Sequence, residues 1–409
     1  MKSSNMKKLG LSILAVIACV AIIGGVYWAG YTKGTQETKH IVVEGVADPQ
    51  VSKDGIDFKP FWEALEVIKE RFVSRDKAYD NQALLYGAIG GMVDALGDPN
   101  TNFLTPSDAN EFTEEISGEF SGIGAEIGIN ENEQLVVIAP LKDTPAYRAG
   151  VQAGDRILEI DNESTAGLTV EQAVERIRGE RGTQVILLLL RDNMEIKTPI
   201  TRDIIELPTL EYEMLDGKIA YIRLYNFYEK APTQFRQAAI QTVGRRAQGI
   251  VLDLRNNPGG YLEAATYIGG WFIERGGVIV REEFQDESEN KKLTSRGPAA
   301  LKDVPIVILL NKGSASASEI LAGALREQNN ATIVGEKSFG KGTVQELVPL
   351  LDDSIIKVTI AHWVTPKGTT IDKNGIEPDI ALEQPTEEEL QNNPDPWLDR
   401  ALEELKKKL

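Results

Sequence analysis

The amino-acid sequence predicts a layered α/β protein with a β-rich insertion holding two helices, a helical N-terminal segment and one transmembrane helix at its start. Three observations predict it. From 196 to 380, strand-like apolar runs alternate with helix-like ones: "KIAYIRLYNF" leads into "APTQFRQAAIQTV", "GIVLDLR" into "YLEAATYIGGWFI", and "PIVILLN" into "SASEILAGALREQ". That alternation is the pattern of βαβ units. From 118 to 195 short strands dominate instead, and from 9 to 31 no charged residue occurs.

The run "LGLSILAVIACVAIIGGVYWAGY" at 9–31 exceeds the roughly 20 residues needed to cross a bilayer. Lys2, Lys7 and Lys8 precede it, and Tyr27, Trp28 and Tyr31 close it. The positive-inside rule and an aromatic belt then leave the N-terminus cytoplasmic and the body outside. A cleaved signal peptide and a lipoprotein site ending at Cys19 are the alternatives. The run is long for the first, and apolar residues continue well past Cys19, against the second. Residues 1–31 are therefore read as a cytoplasmic tip and anchor, and the polar residues 32–55 as a stalk.

Residues 56–117 are read as an N-terminal helical region: from 56 to about 105 the apolar spacing is helical, with Phe61, Leu65 and Ile68, then Leu84, Leu85, Ile89, Met92 and Leu96, and "GDPNTNFLTP" breaks the pattern. From 118 to 195, "SGIGAEIGI" and "QLVVIAPL" read as strands and "TPAYRAG" as a short helix ending at Gly150. "AGDRILEIDN" is a turn and strand, "TVEQAVERIRG" a helix capped near Thr169 and stopped at Gly179, and "TQVILLLLRD" a further strand. From 196 to 380 the alternating runs give way to the strands "TIVGEK", "TVQELVPL" and "SIIKVTIAHWVTP". The tail, 381–409, carries the amphipathic "PWLDRALEELKKKL".

A formal net charge of −18 argues against nucleic acid as a partner and against broad adhesion to anionic lipid. Cys19 is the only cysteine, so the body has neither a disulfide nor a thiol nucleophile. It has two histidines, His40 in the stalk and His362 within a strand, which leaves little for a Ser-His-Asp triad or a zinc site.

"GEKSFGKGT", 335–343, nearly fits the phosphate-loop pattern, but Gly342 stands where a magnesium-binding Ser or Thr belongs. The β-branched "TVQELVPL" that follows is no helix, so the pattern fails. Lys341 is left with another use, as the base of a serine nucleophile. A lysine accepts a proton once apolar walls disfavour its ammonium form, and Phe339 with the bare Gly340 and Gly342 suits such a site. About 25 residues earlier, "NKGSASASEI" crowds small residues where a strand meets a helix. Accessible N–H groups there can stabilise an oxyanion. Ser314, Ser316 and Ser318 are equally suited to capping that helix.

The order of elements from 118 to 195, with Gly122-Ile123-Gly124-Ala125 heading a strand, resembles a PDZ domain. In that family such a loop offers N–H groups to a C-terminal carboxylate, here those of Ile123, Gly124 and Ala125, and the peptide adds as an edge strand. "NKGSASASEILAGAL" with "VGEKSFGKGTVQ" resembles the signature of carboxyl-terminal processing peptidases, or tail-specific proteases. "ALLYGAIGGMVDALGDPN", "SGEFSGIGAEI", "VLDLRNNPGG", "VTPKG", "GIEPDI" and "DPWLDRALEEL" extend the resemblance over about 55–405.

The resemblance implies a crotonase-like layered protease core with an inserted PDZ domain. It makes Ser316 the nucleophile, Lys341 the general base and Gln345 the residue that orients the lysine. The oxyanion donors would be the N–H of Ala317 and that of Gly259 or Gly260. It also implies that the PDZ domain gates the site, with Arg178 and Arg181 as candidate links to the core. No cofactor or metal is implied. The expected partners are protein substrates held by apolar C-terminal tails, with the membrane holding the N-terminal helix; an adaptor or a homo-oligomer stays open. The expected place is a bacterial cell membrane, single-pass, with the catalytic body on the periplasmic or cell-surface side. A PDZ scaffold with an inert protease-like domain is the alternative, and an acyl-transferring or hydratase enzyme on the same layered fold a third reading.

Overall fold

The computed structural model describes residues 57–73, 80–130, 132–216 and 218–409. The expected membrane helix at 9–31 and the stalk at 32–55 lie outside the described residues. Among the described residues no helix is long and apolar enough to cross a membrane. The chain divides into two units, Met1–Leu84 and Leu85–Leu409. In the first, the helix Lys59–Arg71 starts with Pro60 in its first turn and ends on Lys69 and Arg71, which suit its negative end.

In the second unit a six-stranded sheet forms the core, in the order Leu210–Leu215, Ile219–Leu224, Gly249–Asp253, Ile306–Leu310, Thr332–Gly335 and Ile380–Ala381. Its first pair is antiparallel and the others parallel. "GIVLD" and "IVILL" are buried at every position, as strands covered on both faces must be. One side packs against the helices Ala231–Gly244, Leu262–Gly269 and Ala317–Asn329. The other takes Trp397, Ala401 and Leu405 of the C-terminal helix Pro396–Lys406.

A five-stranded antiparallel sheet is laid against this core. Its long strand Ile355–Val364 pairs with Asn102–Leu104, Val278–Phe284 and Thr343–Pro349, and Lys291–Thr294 borders Val278–Phe284. The PDZ-like part has the strands Ala125–Ile129, Leu135–Pro140, Arg156–Ile160, Gln184–Arg191 and Met194–Thr201, in that order across the sheet. The helix Val170–Ile177 is capped by Thr169, whose hydroxyl accepts the Gln172 N–H while the Gln172 side chain accepts the Thr169 N–H. Its last carbonyls, on Arg176 and Ile177, take hydrogen bonds from the buried Arg202 guanidinium.

One expectation is corrected. "SGIGAEIGI" is not one strand. It breaks after Gly122, so that Glu119–Gly122 pairs with Asp203–Glu206 in a separate ribbon and Ala125–Ile129 opens the PDZ-like sheet. Gly124 turns the chain there with φ +72°, where a Cβ would overlap the Thr144 side chain. Within 56–117, the break at "GDPNTNFLTP" holds the short strand Asn102–Leu104, which pairs with Ile355–Lys357 in the five-stranded sheet.

Candidate active site

The strand Ile306–Leu310 leaves the core sheet into a tight turn, and Ser316 caps the helix Ala317–Asn329 that follows. Its backbone is held at φ 54°, ψ −115°, a strained setting for a residue with a side chain. The flanking serines are fully buried and spent on structure. Ser314 Oγ donates to Leu254 O at 2.8 Å, and Ser318 Oγ donates to Asn257 O at 3.0 Å. Ser316 is half-buried and lines a cavity of about 490 Å³.

Lys341 lines the same cavity, half-buried, on the loop after Thr332–Gly335. Its flanking glycines are required by close backbones: Gly340 has φ +91°, and a Cβ on Gly342 would overlap the Asp372 backbone. The apolar wall includes Phe112, Ile116, Leu262, Val344 and Trp363. Among the described residues no hydrogen bond joins Ser316 Oγ to Lys341 Nζ, so the two share a cavity without yet forming a dyad.

Gln345 lines the cavity but does not bond Lys341. Its Nε2 donates to Thr343 O at 3.1 Å and to Thr343 Oγ1 at 2.5 Å. The register of Thr343–Pro349 against Ile355–Val364 slips between Val344 and Gln345, and that bulge turns the amide back on its own strand.

The oxyanion candidates separate. Gly259 donates its N–H to Asn257 Oδ1 at 2.9 Å, whereas among the described residues the N–H groups of Gly260 and Ala317 take no protein acceptor. Both glycines are needed for close approach. A Cβ on Gly259 would lie 2.8 Å from Ser316 Cβ, and one on Gly260 2.7 Å from the Phe227 backbone.

The sequence reading did not single out Glu319. Its carboxylate is fully buried and accepts four hydrogen bonds: Ser316 N–H at 2.8 Å, Lys341 N–H at 3.0 Å, Gly340 N–H at 2.7 Å and Ser338 Oγ at 2.6 Å. Burial pushes the carboxyl above its ordinary range, and these four donors work in the opposite direction. The signal was legible as the pattern Ser-x-x-Glu, 316 to 319, a capping box. A second network also went unread. Arg255 bonds the buried Asp253 and, at 2.8 and 2.7 Å, both carboxylate oxygens of Asp395, the cap of the C-terminal helix. It ties that helix to the loop 255–260 that holds Gly259 and Gly260.

In the PDZ-like part, Ile123 O accepts Ala146 N–H at 2.8 Å, and Gly124 O accepts Leu141 N–H at 2.9 Å. Among the described residues their own N–H groups take no protein acceptor, and Ala125 opens an edge strand opposite Pro140. Arg178, at the end of Val170–Ile177, has its guanidinium 5.1 Å from the Phe120 ring centre and 4.0 Å from Glu111 Oε2. Glu111 shares the helix Pro106–Ser117 with Phe112 and Ile116 of the cavity wall. Arg181 instead pairs with Asp203 at 2.9 Å, on the strand leading out of the PDZ-like sheet.

A profile of peptidase family S41 matches residues 218–382, and a PDZ domain profile matches residues 136–191. The carboxy-terminal processing protease CtpB of Bacillus subtilis is 35% identical over 381 residues, covering 91% of this chain and 78% of that protein. The chain belongs to peptidase family S41. Within it the similarity is to the carboxy-terminal processing peptidases. The S41 match contains Gly259, Gly260, Ser316, Ala317, Lys341 and Gln345, whereas the PDZ match begins after the loop 122–125. A probable CtpA-like serine protease of Staphylococcus epidermidis is 37% identical over 319 residues, 78% of this S41 chain and 65% of that longer relative. Among solved structures, a photosystem II D1 C-terminal processing protease matches with a TM-score of 0.51 at 29% identity, over 79% of this chain and 92% of that one.

Proposed function

We propose that the chain is a serine endopeptidase that takes C-terminal protein tails on its PDZ domain and cuts the attached protein with Ser316 and Lys341. The observation that carries this reading is the cavity that the half-buried Ser316 and Lys341 share with Gly260, whose N–H takes no protein acceptor among the described residues. In the reaction the neutral amine of Lys341 takes the Ser316 Oγ proton as Oγ bonds to the scissile carbonyl carbon. The oxyanion forms against Ala317 N–H and Gly260 N–H. The ammonium returns its proton to the leaving amine as the C–N bond breaks. Water, deprotonated by the same lysine, then releases the acyl group and restores Ser316.

Lys341 Nζ must come within bonding distance of Ser316 Oγ for the first step. Gln345 would then exchange Thr343 for the lysine. A tail docked at Ile123, Gly124 and Ala125 along the free edge of Ala125–Ile129 would act on the cavity through Arg178 and the helix Pro106–Ser117. The apolar run at 9–31 supports a body held at the outer face of a bacterial membrane, where its substrates would be extracytoplasmic proteins.

The test compares wild type, Ser316→Ala and Lys341→Ala on one reporter protein ending in either an apolar or an acidic tail, with products read by intact mass. Cleavage of the apolar-tailed reporter by wild type alone is expected. Cleavage by Lys341→Ala would remove the lysine as base. Tail binding without cleavage by wild type would favour a PDZ scaffold.

A further inference from the structure

Glu282 sits in the strand Val278–Phe284, opposite Trp363 on one neighbour and Lys291 on the other. Its surroundings in sequence, "REEFQDESEN", read as a solvated charge run. Glu282 is nevertheless only 9% exposed and lines the cavity of Ser316 and Lys341, beside its cross-strand partner Trp363. Among the described residues no group hydrogen-bonds or ion-pairs with its carboxyl; Lys291 Nζ lies 4.9 Å over the Phe284 ring instead. Burial pushes this carboxyl above its ordinary range, Lys291 draws it down and Glu263 pushes it up again.

The carboxyl opens into the cavity with no protein partner among the described residues, so a cation entering there would meet it directly. The other acid lining the cavity is Glu263, exposed in the first turn of Leu262–Gly269. The cavity's cations are Lys341 and Lys357, the latter 5.5 Å over the Phe112 ring. Beyond Glu263 the adjoining cavity carries Lys292 and Arg296, which ends the acidic surface there. Next to the two acids in strand and helix stand the apolar Trp363 and Leu262.

We propose that Glu282 and Glu263 form the acidic wall of a side-chain subsite that selects a lysine or arginine beside the scissile bond. The aliphatic stem would lie along Leu262 and Trp363, and the cationic end would supply the donors that Glu282 lacks. This inference rests on the peptidase reading of the same cavity.

The test uses the full-length chain and two peptides that differ at one position, lysine or norleucine. Both are C-terminally amidated, so the carboxylate loop is not engaged. Binding is read by fluorescence anisotropy on Ser316→Ala, without turnover. That variant is expected to bind the lysine peptide about tenfold more tightly, the effect of one charge-assisted hydrogen bond. Ser316→Ala with Glu282→Gln is expected to bind both alike. Glu263→Gln, at an exposed position, is expected to lower the ratio about two- to threefold and decides the matter if Glu282→Gln folds poorly. Equal binding by Ser316→Ala, or a ratio that neither substitution changes, overturns the subsite. Wild-type cleavage is scored separately. Discrimination in binding with no cleavage of the apolar-tailed reporter by wild type removes the peptidase reading and leaves the subsite; equal binding of the two peptides with that reporter cut removes the subsite and leaves the peptidase.

Discussion

Glu319 Oε2 accepts the backbone N–H of Lys341 at 3.0 Å, and the same oxygen accepts the N–H of Ser316 at 2.8 Å. One carboxylate oxygen thus holds the backbones of the candidate nucleophile and base together, although 22 residues separate Glu319 from Lys341. Replacing Glu319 by alanine leaves the N–H groups of Gly340 and Lys341 buried without an acceptor. A loss of about 3 kcal/mol in urea unfolding is expected. The kcat of folded enzyme is expected to fall about 100-fold, because the loop carrying Lys341 is no longer fixed. Wild-type kcat in folded Glu319→Ala would show that the loop positions itself.

Gly259 meets Ser316 more closely than any side chain allows. In Gly259→Ala the new Cβ would stand 2.8 Å from both Ser316 Cβ and Ala315 O, at a φ of +100° that alanine resists. The displaced loop carries Gly260 N–H away from the oxyanion position. A fall in kcat of about 100-fold, with KM little changed, is expected from steady-state kinetics. A rise in KM at constant kcat would place Gly259 in substrate binding instead.

Asp395 makes the C-terminal brace sensitive to acid. Burial alone would raise its carboxyl; the Arg255 guanidinium and the Leu398 N–H more than reverse this and hold it below the ordinary carboxylate range. A depressed folded-state pKa contributes stability that is full above the unfolded value, about 4, and lost as pH falls through the folded value. Wild type should therefore lose Tm steeply below about pH 4, and Asp395→Asn less steeply. At pH 7 the variant should be about 1 to 2 kcal/mol less stable, since Arg255 keeps Asp253. Parallel Tm curves for the two proteins would show that Asp395 does not carry the effect.

Arg178 tests communication rather than stability. Its ion pair with Glu111 spans 4.0 Å between half-exposed side chains, a contact worth under about 1 kcal/mol. Arg178→Ala is therefore expected to unfold within about 0.5 kcal/mol of wild type. The preference for an apolar over an acidic tail, measured as a ratio of kcat/KM, should nonetheless shrink. An unchanged ratio would leave the PDZ domain without this route to the cavity.

Much of the fold was legible because it follows local rules. "GIVLD" and "IVILL" read as buried strands from their unbroken apolar runs, and Thr169 read as a cap from its hydroxyl ahead of an amphipathic run. The strands Val278–Phe284 and Lys291–Thr294 went unread because "VIVREEF" and "KKLT" mix charge with β-branched residues. Pairing of residues 281–284 with 361–364, and of the two strands with each other, makes them strands. The break at Gly124 was equally hidden, since its steric cause is Thr144, 20 residues on.

By itself the sequence determined the chemical inventory: a small-residue turn opening a helix, a glycine-flanked lysine, too few histidines for a triad, and an order of strands and helices set by local periodicity. Only the tertiary structure decided which serine lines the cavity, which glycine N–H is free, that Gln345 turns to Thr343, and that Glu319 and Glu282 face inward. The physical reason is that a polar group's role depends on burial and on whether its hydrogen bonds are already taken, and both are set by residues far away along the chain.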